Sequence, residues 1–441
     1  MLPVLTPEEM RAIDAAAPEP FEVLVERAGA AVARVALEEL GGAYGRRVVV
    51  VCGKGNNGAD GRVAARLLRA RGVRVVEIDA TSVPAVLPPC DLVIDAAYGT
   101  GFHGTYEAPD AGGAVVVAVD VPSGEVRADV TLTFAALKPS LLFDGGAAGA
   151  VLVEDIGLDV SSARAHVVEP SDVLGRLPRR SRDAHKYAAA VAVIAGSPGM
   201  TGAASLTSRA VLRAGSGYCR LGVPGADVGA IPASEAVAVE LPAEGWSDGA
   251  LAACDRMSAL AIGPGLGRST KTVNATRRVI AESELPVVID GDGLFALGSI
   301  ADAVEVLGRR RGPAILTPHD GEYERLAGEA PPTGAGRIDA VRALAARLGA
   351  TILLKGPVTV VADRSGEVLL SRLGTPALAT AGTGDVLTGV VAAFLAAGLS
   401  PLEAGGLAAT AHAVAALGGH RVGLVAGDLP ELVASFLSGD A

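Results

Sequence analysis

Short apolar runs alternate with amphipathic stretches along the chain. RVVVVCG at Arg47–Gly53 has no polar residue between Arg47 and Cys52, so it reads as a strand buried on both faces. Asp60–Arg71 follows, with Ala64, Leu67 and Leu68 at helical spacing. Val73–Asp79, Leu92–Asp95 and Val115–Asp120 are again β-rich, and each ends in an acid. This rhythm of strand, helix and strand predicts an α/β fold built on parallel sheet covered on both faces. Reactive groups in such sheets gather past the carboxyl ends of strands, where Asp95 and Asp120 fall. The rhythm breaks after Val153. The stretch 155–182 is irregular, carries Pro170 and Pro178, and ends in the basic run Pro178–Arg182. A second alternation begins at Val191–Ala195 and continues to the C-terminus. Two domains are predicted, over 1–170 and 183–441, with a linker at 171–182.

Composition narrows the class. Of 441 residues, 50% are apolar and 20% charged, too apolar a balance for disorder. The net charge of −11 and the lack of a basic run with interleaved aromatics exclude a general nucleic-acid binder. Apolar stretches such as Val386–Leu399 fall short of the ~20 residues a membrane span needs. The opening segment lacks a basic region followed by an apolar core, so no secretory signal is expected and the expected location is cytoplasmic. Cys52, Cys90, Cys219 and Cys254 are widely spaced, which points to reduced thiols. Part of the 57 glycines clusters just past predicted strands, at 53–61, 99–104, 196–202, 263–267 and 382–384. Backbone approaches phosphates or flat rings most closely at such places.

Gly53-Lys54-Gly55-Asn56-Asn57-Gly58 fits GxGxxG, after a predicted strand and before a predicted helix. Such glycines let a pyrophosphate approach helix N–H groups, and Glu77 and Asp79 follow about 20 residues on, where a ribose-binding acid belongs. A dinucleotide-binding fold is one reading, and a plain strand-to-helix turn is the other. The surrounding loops are unusually rich in oxygen donors. Asn56, Asn57 and Asp60 are joined by Asp95 in VIDAAYGTG and by Asp120 and Ser123 in VDVPSG. Amide, carboxylate and hydroxyl oxygens suit a hard cation such as K⁺, Ca²⁺ or Mg²⁺. Singly, Asn57 also reads as a turn residue and Ser123 as a cap.

GKGNNGADG, VIDAAYGTG and VDVPSG resemble the NAD(P)H-hydrate epimerase family, over 1–165. Ala59 stands where that family has glycine, and the segment before VDVPSG is short. The resemblance implies a Rossmann-like three-layer domain with K⁺ held by Asn57, Asp95 and Ser123. It implies a hydrated nicotinamide nucleotide contacted by Asn56, Asn57, Gly58, Ala59 and Asp60, by Gly99, Thr100, Gly101, Phe102, His103, Gly104 and Thr105, and by Asp120. Asp120 is the implied acid/base, since a carboxylate in an apolar pocket can hold and return a proton.

The second half offers five loops: AGSPGMTGAA at Ala195–Ala204, IGPGLG at Ile262–Gly267, LTPHDGE at Leu316–Glu322, KGPVT at Lys355–Thr359, and ATAGTGD at Ala379–Asp385. Successive small residues in the last leave N–H groups free to face an anion at a helix start. A phosphate there would put Asp385 beside the hydroxyl that attacks it. Simple capping of the helix by Asp385 is the plainer alternative. GxxxxGK[ST] is missing, which excludes a Walker-type loop.

Taken in order, these motifs resemble the ADP/ATP-dependent NAD(P)H-hydrate dehydratases of the ribokinase-like superfamily, over 181–441. The resemblance implies a ribokinase-like three-layer domain in which Ala203, Gly265, His319 and Asp385 contact the hydrated nucleotide, with Asp385 catalytic. Lys355, Gly356, Pro357, Val358, Thr359 and Gly384 would hold the adenine nucleotide. Asp290 and Asp292, in DGDG where the family has DADAL, would assist through Mg²⁺ or water. The expected function is repair of hydrated NADH and NADPH: epimerisation of the R and S hydrates, then dehydration of the S form with ADP as phosphoryl donor. K⁺ and Mg²⁺ are the expected ions. The expected partners are small molecules, with no nucleic acid or membrane, and a homo-oligomer is the expected state. The alternative is a ribokinase-like small-alcohol kinase fused to a nucleotide-binding domain.

Overall fold

The computed structural model describes the chain apart from residues 103, 144, 179–180, 228, 230–234 and 440–441. It divides into two compact units, Leu2–Arg164, and Ala165–Ala441 with Met1.

In the first unit, six parallel strands lie in the order Arg74–Asp79, Arg47–Cys52, Leu92–Ala96, Val115–Val119, Val130–Phe134 and Ala150–Glu154. Val48–Val51 are wholly buried, which explains their lack of polar alternation. The helices Phe21–Leu40 and Asn56–Ala70 pack together and cover one face through Val32, Val35, Ala64 and Leu68. Ala80, Leu87, Tyr106 and Val126 cover the other. The strand order reverses between Arg47–Cys52 and Leu92–Ala96, and α/β sheets open a ligand crevice at such a switch. The loops meet so closely there that a Cβ on Gly53 would lie 1.8 Å from the Ala97 carbonyl oxygen. Ala59 lies in the first turn of its helix, where its N–H bonds to the Gly55 carbonyl, so the backbone does not demand glycine there.

The stretch expected as a linker at 171–182 is structured at its start. Ala165–Val167 pairs with Val368–Ser371, and Pro170–Arg176 is a helix that buries Val173 completely. Pro170 opens this helix at its first turn, where a missing N–H costs nothing. The compact second unit thus begins at Ala165. A three-residue strand and two helical turns are too short to show a period.

The second unit orders its strands as Ala165–Val167, Val368–Ser371, Thr359–Ala362, Thr351–Leu354, Ala314–Leu316, Val287–Ile289, Ala259–Ile262, Ala190–Ile194, Tyr218–Gly222 and Val237–Val239. Thr359–Ala362 is antiparallel to both neighbours, and the other pairs are parallel. The apolar run noted in the sequence forms the helix Thr383–Ala396, buried at every position from Val386 onward and packed on Thr201–Arg213. A helix apolar all round belongs in a core. No helix among the described residues is long and apolar enough to cross a membrane.

Candidate active sites

In the first unit, loops following three neighbouring strands border a cavity of about 660 Å³. Asn56, Asn57, Asp60, Gly99, Thr100, Gly101, Phe102 and Asp120 all line it. Gly104 and Ser123 line a smaller adjoining cavity instead. Gly58, Ala59 and Thr105 line neither, and Gly58 is packed on Gly53, where a Cβ would lie 1.9 Å from the carbonyl oxygen. His103 lies outside the described residues.

Asn57, Asp95 and Ser123 are drawn together around the Tyr98 backbone. Asn57 Nδ2 donates to the Val119 carbonyl at 2.6 Å and to that of Tyr98 at 3.3 Å. Ser123 Oγ accepts from the Tyr98 N–H and donates to the Tyr98 carbonyl. Asp95, almost wholly buried, accepts from the Ser123 and Ala97 N–H groups. Burial raises its pKa, and those bonds pull it back. Among the described residues no cationic side chain pairs with it. A buried carboxylate short of positive charge, with amide, hydroxyl and carbonyl oxygens around it, fits a hard monovalent cation.

Asp120 sits at the end of Val115–Val119 with φ of 67°, a left-handed backbone unusual for a side chain-bearing residue. Its Oδ1 lies 2.5 Å from Lys138 Nζ and accepts from Thr133 Oγ1 at 3.0 Å. Lys138 is buried and also donates to Thr133 Oγ1 and to the Phe134 carbonyl. Sequence reasoning missed Lys138 and also Asp14, which lines the same cavity. The available signal was a lone lysine in the apolar run TLTFAALKPSLLF.

In the second unit, the five loops converge at the carboxyl edge of the parallel strands. The Gly196 N–H donates to the Pro264 carbonyl, Ser197 Oγ donates to the Gly265 carbonyl, and a Cβ on Gly265 would lie 3.0 Å from Ala203 Cβ. A Cβ on Gly263 would lie 1.9 Å from the Asp290 carbonyl oxygen, so this loop is pressed onto DGDG. Asp290 Oδ1 accepts from Lys355 Nζ at 2.8 Å, and Oδ2 from Thr388 Oγ1 at 2.7 Å. Asp292 accepts from the Gly267 N–H and from Arg268 Nε. Both carboxylates are thus engaged by protein donors in this structure. No group of three or more His, Cys, Asp or Glu side chains placed to hold a metal occurs among the described residues.

Lys355 faces Asp290, and the Lys355 N–H donates to the Pro318 carbonyl, which ties KGPVT to TPHDGE. Burial works against the Lys355 ammonium, but Asp290, Glu322 and Asp385 outweigh it and raise its pKa. Gly356 packs near Arg337, Val358 is buried, and Thr359 opens a strand. His319 caps the helix Asp320–Ala327, with Nδ1 accepting from the Gly321 and Glu322 N–H groups and most of the ring exposed.

The helix Thr383–Ala396 is preceded by Gly382 with φ of 90°, and no side chain caps it. Asp385, at the third helical position, is thus not a cap and makes no hydrogen bond among the described residues. A Cβ on Gly384 would lie 3.5 Å from Lys355 Nζ and 3.7 Å from Asp290 Oδ2, so the Gly382–Gly384 turn adjoins this ion pair. Burial first, then the nearby Asp290, push Asp385 up to about 6 against the pull of Lys355. A half-buried carboxylate poised near neutrality beside a helix start and a lysine is equipped to take a proton during transfer to phosphate.

The fold of the second unit is that of the ribokinase-like proteins. A ribokinase-like superfamily protein from Enterococcus faecalis superimposes with a TM-score of 0.54 at 23% identity, covering 63% of this chain and 96% of that one. The ADP/ATP-dependent NAD(P)H-hydrate dehydratase from Bacillus subtilis, co-crystallized with ATP and Mg²⁺, gives 0.52 at 30% identity, covering 62% and 98%. The family model of NAD(P)H-hydrate dehydratase matches residues 191–434, and that of the YjeF-related protein N-terminus matches residues 21–79. The bifunctional NAD(P)H-hydrate repair enzyme of Mycobacterium tuberculosis is 38% identical over 371 residues, 75% of this chain and 74% of that one. Its counterpart in Thermofilum pendens is 35% identical over 437 residues, 82% of each. The chain belongs to the family of bifunctional NAD(P)H-hydrate repair enzymes.

Proposed function

We propose that the two sites act in succession on one damaged nucleotide, NADH or NADPH hydrated at its nicotinamide ring. The first unit interconverts the R and S hydrates, and the second dehydrates the S form with ADP as phosphoryl donor. In the first, Asn56 and the Gly99–Phe102 turn bind the nucleotide. Asp120, fixed at Oδ1 by Lys138 and Thr133, exchanges a proton with the substrate through its other oxygen. Asn57, Asp95 and Ser123 would hold K⁺, which would supply fixed positive charge to the site.

In the second unit, Ala203, Gly265 and His319 position the hydrated ring. Asp385 takes the hydroxyl proton as that oxygen attacks the terminal phosphorus of ADP in line. Lys355 and the N–H groups of the Gly382–Gly384 turn stabilise the transferring phosphoryl group. The C–O bond of the resulting ester then breaks, phosphate leaves in place of hydroxide, and loss of a neighbouring ring proton restores the double bond. AMP and phosphate are the by-products. Mg²⁺ on the donor phosphates would supply charge neutralisation there, with Asp290 and Asp292 the carboxylates at hand to assist it directly or through water.

The observation that carries this reading is Asp385: uncapping, unbonded, raised to about 6, and beside the Lys355–Asp290 pair. Incubating the protein with ADP and NADH hydrate tests it. Return of the dihydropyridine absorbance supports repair. A phosphoester that persists supports the small-alcohol kinase and overturns the dehydratase reading.

A further inference from the structure

Two carboxyl groups of opposite surroundings share the cavity of the first unit. Asp120 has a lysine at 2.5 Å. Asp60, in the second turn of Asn56–Ala70, is 6% exposed, and no hydrogen bond or ion pair holds its carboxyl among the described residues. The charged groups facing it are the carboxylates of Asp120 and of Asp14 on Pro7–Ala16. Lys138 lies against Asp120 instead, and Arg11 and Glu19 also line the cavity. Burial first, then Asp120 and Asp14, push Asp60 up to about 8, so it holds a proton at neutral pH. Environments that differ in this way assign acid and base within a pair of like groups.

We infer that Asp60 is the proton donor of the epimerisation, working opposite Asp120 on one substrate. This rests on reading the cavity as the epimerase site. Asp60 gives its proton to the ring hydroxyl, the C–O bond breaks, water departs, and the lone pair of the ring nitrogen forms a C=N⁺ bond. Water then adds to the opposite face of that carbon while Asp120 takes one of its protons. The product is the other epimer. One proton has passed from Asp60 to Asp120, and exchange with solvent returns it. In the reverse direction the two groups swap roles.

Asp60→Asn in the full chain keeps the size and neutrality of the protonated acid but has no acidic proton. Its kcat for R-to-S conversion is expected to fall about 10²–10⁴-fold, with KM within about threefold of the parent. A kcat within about threefold of the parent overturns the assignment. Asp14→Asn supplies a readout that survives misfolding of the first variant. The parent's kcat falls on the alkaline side as Asp60 loses its proton, and removing the Asp14 charge moves that limb down by roughly half a unit. A limb that does not move overturns the assignment. A parent protein that converts no epimer removes the epimerase reading itself, whereas active parent with unaltered variants removes only the role of Asp60.

Discussion

Lys355 Nζ lies 2.8 Å from Asp290 Oδ1, joining two loops 65 residues apart in sequence at the start of the helix Thr383–Ala396. Both side chains are largely withdrawn from water, and Thr388 completes the shell of Asp290. Lys355→Met therefore leaves a buried carboxylate with one hydroxyl partner. Its expected cost is about 3–5 kcal/mol, read as a lower urea midpoint, along with loss of dehydration. Adding Asp290→Leu is expected to restore much of the stability and none of the activity. A single variant as stable as the parent would remove the structural role of the pair.

Asp385 must be ionised to accept a proton. With its value near 6, dehydration is expected to be level above that pH and to decline below it. Asp385→Asn is expected to lose about 10²–10⁴ in kcat. Full rate in this variant, measured with saturating ADP, sinks its role as base.

The buried Asp95 carboxylate carries its own test. If K⁺ binds the folded first unit, KCl is expected to raise its thermal midpoint above that in choline chloride of equal ionic strength. Saturation at 100 times Kd corresponds to about 2.7 kcal/mol. Asp95→Asn is expected to abolish the difference, and equal midpoints for the parent in the two salts refute the site.

Asp60 makes a prediction about stability that is separate from catalysis. Its folded value of about 8 lies above its ordinary 3.8. Between the two, the folded chain binds more protons than the unfolded chain, so this residue's contribution falls as pH rises and levels off above 8. Asp60→Asn removes that slope. Its stability relative to the parent is expected to grow between pH 5 and pH 8 in denaturant titrations, by roughly 1 kcal/mol or more. A difference that does not grow with pH contradicts the burial argument.

The strands and the loops that follow them were legible because their signals are local. Val48–Val51 announce a buried strand by composition, and the glycines past each strand mark where backbones crowd. What stayed hidden depends on distance in sequence. Lys138 meets Asp120 from the turn that precedes the helix Pro139–Leu142, and nothing periodic marks that meeting. Asp290 was visible as a carboxylate but not as the partner of Lys355 and Thr388, which lie 65 and 98 residues further along. Pro170 looked like a break in the chain, yet proline at a helix start is a beginning.

The left-handed backbone at Asp120 is held in place by the ion pair beside it. A glycine would relax that backbone by roughly 1 kcal/mol, but it would leave the buried Lys138 ammonium without its carboxylate, a loss of about 3–5 kcal/mol. Folding and chemistry therefore ask for the same residue at this position, and a screen that scores only heat resistance would keep the aspartate rather than discard it.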